Sequence, residues 1–184
     1  MRKFGIVAEY IKKLVPNYTK KRNEEEANDD LLQRNFQQRG WVTDISTLQL
    51  EIKGKKAYLS VILDLETRDW ISYKIYNHMR NELVLDTLKE AISKRKDLNG
   101  LVLHSDRGSQ YLSTEYKIIC ESNGIAVSHS RVHNPKDNAV IESFFGIMKK
   151  ETLYNNSITS LKEYIQLVDD WMTFYNTKRR RSKK

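Results

Sequence analysis

The sequence has few of the residues that crosslink or interrupt a chain: one cysteine, two prolines and seven glycines among 184 residues. A lone cysteine, Cys120, cannot form an internal disulfide, and without paired cysteines or a histidine-rich motif the pattern does not favour zinc. No apolar run reaches the roughly 20 residues of a membrane-spanning helix, and no signal peptide is recognised. These absences predict a cytoplasmic protein that does not contact a membrane.

The charge is unbalanced towards the basic side. Lysine and arginine number 32 against 24 aspartate and glutamate, which gives a net charge of +8. A basic protein favours an anionic partner, of which nucleic acid is the commonest. Basic residues crowd positions 12–22 and 178–184, although such runs can also be solvated tails. Charge therefore suggests DNA or RNA without deciding for either.

Composition predicts three parts in the chain. Residues 1–37 form an N-terminal appendage, with a short helix over 4–14 and a polar linker over 22–30. Residues 38–178 carry the apolar periodicity of one globular domain. Residues 179–184 form a basic C-terminal tail. The chain is expected to start within the linker of a longer protein and to be truncated at its end.

The middle part alternates strand and helix patterns. Strands are predicted over 41–50, 57–65, 69–76, 101–104 and 125–128, with a turn at 53–55. Helices are predicted over 82–96, 114–122, 137–150 and from Ser160 through Tyr175. The resulting order β-β-β-α-β-α-β-α-α predicts an α/β protein of the ribonuclease-H-like fold, in which helices flank a mixed five-stranded sheet.

The helix over 137–150 is predicted to be amphipathic and to begin at Asp137 or Asn138, both good N-caps. The residues of its apolar side recur at helical spacing: Ile141, Phe144, Phe145 and Met148. A second side collects residues at steps of four, four and three: Asn138, Glu142, Gly146 and Lys149. This second side suits a metal that faces nucleic acid. An isolated glutamate on a helix is most simply a solvated surface residue. A functional role for Glu142 therefore depends on other carboxylates near it.

Two further carboxylates fall where the predicted fold would bring them near Glu142. Asp44 lies on the first strand and Asp106 follows the fourth, and these strands are neighbours in the predicted topology. Oxygen ligands of this kind suit Mg²⁺ or Mn²⁺. Two such ions, about 3.5–4 Å apart, can activate an attacking oxygen and stabilise a leaving one. The three residues therefore predict phosphodiester chemistry.

Several other residues have two interpretations. Asp64 is a possible fourth ligand, although a turn acceptor at the end of its strand is the simpler role. Asp137 is more economically a cap than a ligand. His104 points the same way as Asp106, and a hydrogen-bonded supporting role is favoured over metal ligation. Tyr111 contacts DNA or covers the core, and Cys120 is most simply a buried small hydrophobe.

Six segments share one pattern: WVTDI at 41–45, LDLETR at 63–68, HSDRGSQY at 104–111, SHSR at 128–131, Asp137-Asn138-Ala139, and ESFFG at 142–146. Together they resemble the catalytic core of bacterial transposases of the insertion-sequence-three family, relatives of retroviral integrases, over residues 35–178. The 35 residues between Asp106 and Glu142 match the spacing that this family uses.

The resemblance implies that Asp44, Asp106 and Glu142 are the catalytic DDE triad and hold two Mg²⁺ or Mn²⁺ ions. It implies cleavage of DNA strands and transfer of the freed 3′-hydroxyl, with transposon ends and target DNA as partners. It also implies a homo-oligomer when active, in the bacterial cytoplasm at the nucleoid.

The residues expected to contact DNA are Asn138, Lys149, Arg131, Lys136 and Arg107. Tyr175-Asn176 and Arg179 match the closing motif of the family. The chain departs from the family pattern at Val132-His133, where Lys-Gly is usual, and residues 1–37 are not expected to form the upstream helix-turn-helix of that family. A nuclease of the same fold and a non-catalytic DNA-binding remnant are the alternative functions.

Overall fold

A computed structural model describes residues 29–49, 56–132, 134–154 and 156–179. Its first half consists of strands β1 (Gly40–Gln49), β2 (Lys56–Asp64) and β3 (Trp70–Tyr76), helix α1 (Asn81–Lys94), strand β4 (Leu101–Ser105), helix α2 (Thr114–Ser122) and strand β5 (Ile125–His129). Its second half consists of a 3₁₀ turn (Pro135–Asn138), helix α3 (Ala139–Lys149), a π-helical turn (Lys150–Tyr154) and helix α4 (Leu161–Thr177). The predicted order of strands and helices is confirmed.

The five strands form one mixed sheet in the order β3-β2-β1-β4-β5. The first three strands pair antiparallel, while β4 pairs parallel with both β1 and β5. In the parallel pair, Val42 lies opposite His104. Asp44 and Asp106 each follow these partners by two residues, so the register brings the two carboxylates to the same region of the sheet.

The two faces of the sheet are covered by different helices. Helices α1 and α2 cover one face, with a core that includes Trp41, Leu88, Leu103 and Tyr116. Helices α3 and α4 cover the other, with Val42, Leu59 and Val168 in that core. The predicted apolar side of α3 is confirmed, since its four residues are at most 6% exposed: Ile141, Phe144, Phe145 and Met148. No helix in the described ranges is long and apolar enough to cross a membrane.

Part of the predicted N-terminal appendage packs on the core. Leu32 is 1% exposed and belongs to the same apolar cluster as α3 and α4. The backbone N–H of Leu31 donates to Ser128 Oγ at 2.9 Å, and that of His129 donates to Asp29 O. Residues 29–32 therefore contact strand β5 and the core. The predicted helix over 4–14, most of the linker, the turn at 53–55 and most of the basic tail lie outside the described residues.

Helix starts agree with the sequence in one case and differ in another. Ser160 caps α4, because its Oγ accepts from Glu163 N at 3.2 Å, whereas the Glu163 carboxylate accepts from Thr159 N. Asn138 occupies the N-cap position of α3, as predicted, but the expected side-chain cap is absent. Asn138 makes no side-chain capping bond, and Asp137 turns instead towards two arginines. A 3₁₀ turn leads directly into α3 and replaces the expected cap.

Candidate active site

Asp44 lies in the middle of β1 and is half-buried. Its Oδ1 accepts a hydrogen bond from the backbone N–H of Ile45 at 2.7 Å. Burial and the nearby carboxylates of Asp106 and Glu142 raise its pKa to about 7, against the smaller opposing effects of the Ile45 N–H and Lys149. Asp44 therefore lies in the electric field of both other members of the predicted triad.

Asp106 follows the last residue of β4, at the carboxyl end of the strand. Its Oδ1 accepts from the N–H of Gly108 at 2.9 Å, and a Cβ on Gly108 would lie 3.0 Å from the same oxygen. The loop is held from the other side by Arg107, whose Nε donates to Ser130 O at 2.7 Å. The residue is exposed, but the protein around its carboxylate removes enough water to raise its pKa. The glycine thus allows the loop to turn tightly around the carboxylate.

Glu142 lies on the first turn of α3 and is exposed. Gly146 lies one turn further, and beyond its chain neighbours and the backbone of its own helix no atom lies within 4 Å of the position that a Cβ would take. Lys149 is half-buried and close enough to Asp44 to oppose the rise in its pKa. Asn138 is 5% exposed, and within the described ranges its Oδ1 has no hydrogen-bond partner. This side of α3 therefore leaves open space beside the carboxylates.

The donor chemistry of this region fits a divalent cation. All three side chains offer carboxylate oxygens, and Mg²⁺ takes one or two carboxylates while it keeps waters and substrate phosphate oxygens as further ligands. Burial contributes most to the raised pKa of Asp44, and a bound cation would relieve the repulsion that Asp106 and Glu142 add to it. Within the described part of the chain, no three side chains of histidine, cysteine, aspartate or glutamate are close enough to form a complete metal site.

The predicted DNA contacts differ in how their charges are balanced. Arg131 donates to both carboxylate oxygens of Asp137, at 2.9 and 2.8 Å, and lies 3.5 Å from Asp30. Arg107 is occupied by a backbone carbonyl. Lys136 is exposed. The structure thus pairs the Arg131 guanidinium within the protein and leaves Lys136 on the surface.

Asp137 anchors the loop before α3. It is 1% exposed and accepts from Arg34 as well as Arg131, which holds its pKa well below the usual range. Nothing in the local sequence pattern indicates this contact, since Arg34 is 103 positions away. The sequence interpretation of Asp137 as a cap is corrected by this long-range ion pair.

Asp137→Asn is expected to lower the free energy of unfolding by about 2 kcal/mol, since a buried acceptor of charge-assisted hydrogen bonds is lost. Urea unfolding at pH 7 measures it. Asp97→Asn is the matched control, because Asp97 pairs with Arg39 but is 70% exposed. Its effect should be small. Equal losses in the two variants would contradict the anchoring role of Asp137.

The alternatives for the other polar residues are resolved by contacts. His104 is fully buried, with Nδ1 2.8 Å from Ser128 Oγ and Nε2 3.2 Å from Ser130 Oγ, and burial lowers its pKa. His104 is therefore a hydrogen-bonded supporting residue, which is the role that the sequence pattern favoured over metal ligation. Asp64 accepts from two backbone N–H groups of the following turn and from Arg95 Nη1 at 2.8 Å, so it is a turn acceptor.

Tyr111 and Cys120, whose roles the sequence left open, belong to the core. Tyr111 is 1% exposed and packs edge to face with Tyr116 at 5.6 Å between ring centroids. Cys120 is fully buried, and burial raises the pKa of its thiol to about 12. Neither side chain is available to a DNA strand.

Two family models, each described as "Integrase core domain", match the chain over residues 22–135 and 123–183. The transposase designated InsK, of insertion sequence element IS150 in Escherichia coli strain K12, is 35% identical over 154 residues, which are 82% of this chain and 54% of InsK. Transposase InsF of insertion sequence IS3A, from the same strain, is 31% identical over 137 residues, 72% of this chain and 47% of InsF. The chain spans about half the length of these curated relatives.

A solved structure shares the fold. The HTLV-2 integrase catalytic core domain in complex with magnesium superposes with a TM-score of 0.57 at 20% identity, over 79% of this chain and 91% of that one. This likeness confirms the ribonuclease-H-like fold predicted from the order of the elements. The first family model covers more than half of the chain, and the curated relatives are transposases. The chain belongs to the integrase core domain family, among the transposases of the insertion-sequence-three family.

Proposed function

We propose that this chain is the catalytic core of a DDE transposase, which cuts DNA strands and joins the freed 3′-hydroxyl to target DNA in a metal-dependent reaction. The raised pKa of Asp44 supports the proposal most directly, because burial and then the charges of Asp106 and Glu142 act together on this one carboxyl group. The three residues come from β1, from the loop after β4 and from α3. Perturbed carboxyl groups from separate elements favour an active site over a solvated surface.

Asp44, Asp106 and Glu142 would hold two Mg²⁺ or Mn²⁺ ions. When bound, such ions polarise the phosphate and stabilise negative charge on the entering and leaving oxygens. The Gly108 N–H orients the Asp106 carboxylate, and the Ile45 N–H orients that of Asp44. With a pKa of about 7, Asp44 gives up its proton close to neutral pH as it becomes a ligand.

The proposed partners are transposon ends and target DNA. Lys136 and Lys149 suit phosphate contacts, since each presents a charge near the start or the end of α3. Asn138, at the start of α3, is a further residue proposed to contact DNA. Arg107 and Arg131, on either side of Ser130 O and Asp137 in the loops near the carboxylates, are the further residues proposed to contact DNA. We also propose that the active protein is a homo-oligomer and that it acts in the bacterial cytoplasm at the nucleoid.

The decisive experiment incubates this chain with end-labelled oligonucleotides that carry candidate transposon ends, with and without Mg²⁺. Cleavage followed by joining to a second duplex supports the transposase. Cleavage without joining would favour a nuclease of the same fold, and binding without cleavage would favour a non-catalytic remnant.

Lys149→Ala is expected to weaken binding to DNA of any sequence and to reduce the slope of log affinity against log salt by about one unit, as one lost phosphate contact would. Fluorescence anisotropy with a random duplex at several salt concentrations measures the slope. Lys89→Ala is the control, since Lys89 lies on α1, across the sheet from α3. A slope equal to that of the unmodified chain would contradict a phosphate contact at Lys149.

A further inference from the structure

A cavity of about 710 Å³ opens beside α3, between this helix, the end of α4 and residues 34–37. Three arginines line it: Arg34, Arg68 and Arg179. None of the described residues that line it carries a carboxylate. The cavity therefore has the charge of an anion-binding site.

The three arginines differ in their partners. Arg34 donates to Asp137 at 2.8 Å, and Arg179 donates to Glu151 at 2.9 Å, so both guanidinium groups are held in place by carboxylates outside the cavity lining. Arg68 donates to Phe36 O at 2.9 Å. Among the described residues, no carboxylate oxygen lies within 4.0 Å of its guanidinium. Arg68 thus keeps donors for a ligand, and Asp64 acts on its charge only from beyond ion-pair distance.

The backbone supports a functional role for two of these side chains. Arg34 and Arg68 have φ values of 63° and 64°, in the left-handed region. A side chain with a Cβ costs about 1–2 kcal/mol there, and glycine or asparagine would fit with less strain. Strained positions of this kind gather at binding sites. Both strained arginines face the same cavity.

The cavity adjoins the proposed catalytic side of α3. Ser143 and Ile147 line it, and each directly follows a residue of that side, Glu142 or Gly146. The space above Gly146 is open. A DNA strand held at the proposed metal site beside Glu142 can therefore cross α3 towards the arginines, because Gly146 has no side chain in its way.

We propose that the arginine-lined cavity is a second DNA-binding site, in which Arg68 binds a backbone phosphate of a strand that crosses α3. This inference rests on the proposed function, because it extends the DNA path beyond the catalytic carboxylates. Arginine suits the role, since its planar guanidinium donates two parallel hydrogen bonds to one phosphate. DNA is favoured over an acidic protein segment because the cavity continues the surface that would already hold DNA.

The test uses a thiol reporter in the full chain. Gln37 lines the cavity and is exposed, so Gln37→Cys places a reactive thiol there. Cys120 stays unreactive, because it is fully buried. The rate of alkylation by a small maleimide is measured with random duplex DNA, with single-stranded DNA and with a polyglutamate peptide.

In the Gln37→Cys variant, DNA should slow alkylation of the introduced thiol several-fold. Arg68→Asn should abolish the protection and lower the salt slope of DNA binding by about one unit, while Arg68→Lys keeps the slope. Asparagine tolerates the left-handed backbone, which guards against loss of folding, and circular dichroism checks it. Lys89→Gln, with the same loss of charge on α1, should keep the protection.

Two results would overturn the inference and leave the proposed function standing. In the first, DNA binds and is cleaved, but the thiol at position 37 stays unprotected or is protected equally in Arg68→Asn. In the second, polyglutamate protects the thiol and DNA does not, which would assign the cavity to an acidic protein partner. Failure of the proposed function has a different signature, since the chain would then neither bind nor cut any DNA.

Discussion

Asp44→Asn is expected to abolish metal-dependent cleavage and, at the same time, to stabilise the metal-free fold. A neutral amide holds a divalent cation poorly, so the rate of strand cleavage should fall by at least roughly a thousandfold. The gain in stability arises because the amide removes a charge that burial and two neighbouring carboxylates disfavour. A single substitution would thus separate the chemical role of this residue from its cost to the fold.

The pH dependence gives the sign and the size of this gain. The pKa of Asp44 is about 7 in the folded chain and 3.8 for the unperturbed group. The folded state therefore keeps a proton that the unfolded state loses between these values, and the free energy of unfolding falls as the pH rises through this window. Above pH 7 the cost is complete, on the order of 2–4 kcal/mol. Asp44→Asn should lack this fall.

Urea unfolding between pH 4 and pH 8, without metal, measures the effect. Asp170→Asn is the matched control, since Asp170 is an exposed carboxylate on α4 and is not among the groups that raise the pKa of Asp44. Asp106→Asn should lose cleavage in the same way as Asp44→Asn. Retained cleavage in either triad variant would exclude the proposed catalytic site. If the free energy of unfolding of Asp44→Asn fell with pH as it does in the unmodified chain, the raised pKa of Asp44 would be excluded.

Glu142→Gln is expected to leave DNA affinity nearly intact and to eliminate both cleavage and joining. Basic side chains supply most of the attraction to DNA, so the loss of one exposed carboxylate changes binding little. The reaction, in contrast, needs the cation held in position at the scissile phosphate. Because a single site would serve both steps, hydrolysis at the transposon end and transfer of the 3′-hydroxyl should fail together.

A paired gel assay of cleavage and joining, next to a binding titration at constant salt, measures these effects. Glu121→Gln provides the control, as Glu121 is exposed on α2 at the other face of the sheet. Full activity in Glu142→Gln would make Glu142 an ordinary solvated residue. If joining alone were lost while cleavage persisted, the single-site mechanism would be wrong.

Hydrophobic periodicity predicted the elements because each strand and helix must bury one side whatever its neighbours are. The apolar residues of α3 show this, since helical spacing alone placed Ile141, Phe144 and Met148 in the core. The ends of elements were less predictable. Helix α1 ends at Lys94, two residues before its predicted end, where Arg95 leaves the helix and pairs with Asp64 of β2.

The sequence by itself determined the order of the elements and the apolar side of α3, and it predicted the three carboxylates as a candidate site, because each rests on residues close together in the chain or on a motif. The tertiary structure alone decided the contacts between distant residues. Arg34 and Leu32 belong to the predicted appendage, but the structure pairs Arg34 with Asp137 and buries Leu32 in the core. It also placed Arg68 at the cavity beside α3. Such contacts depend on chain packing, which local spacing and propensity do not encode.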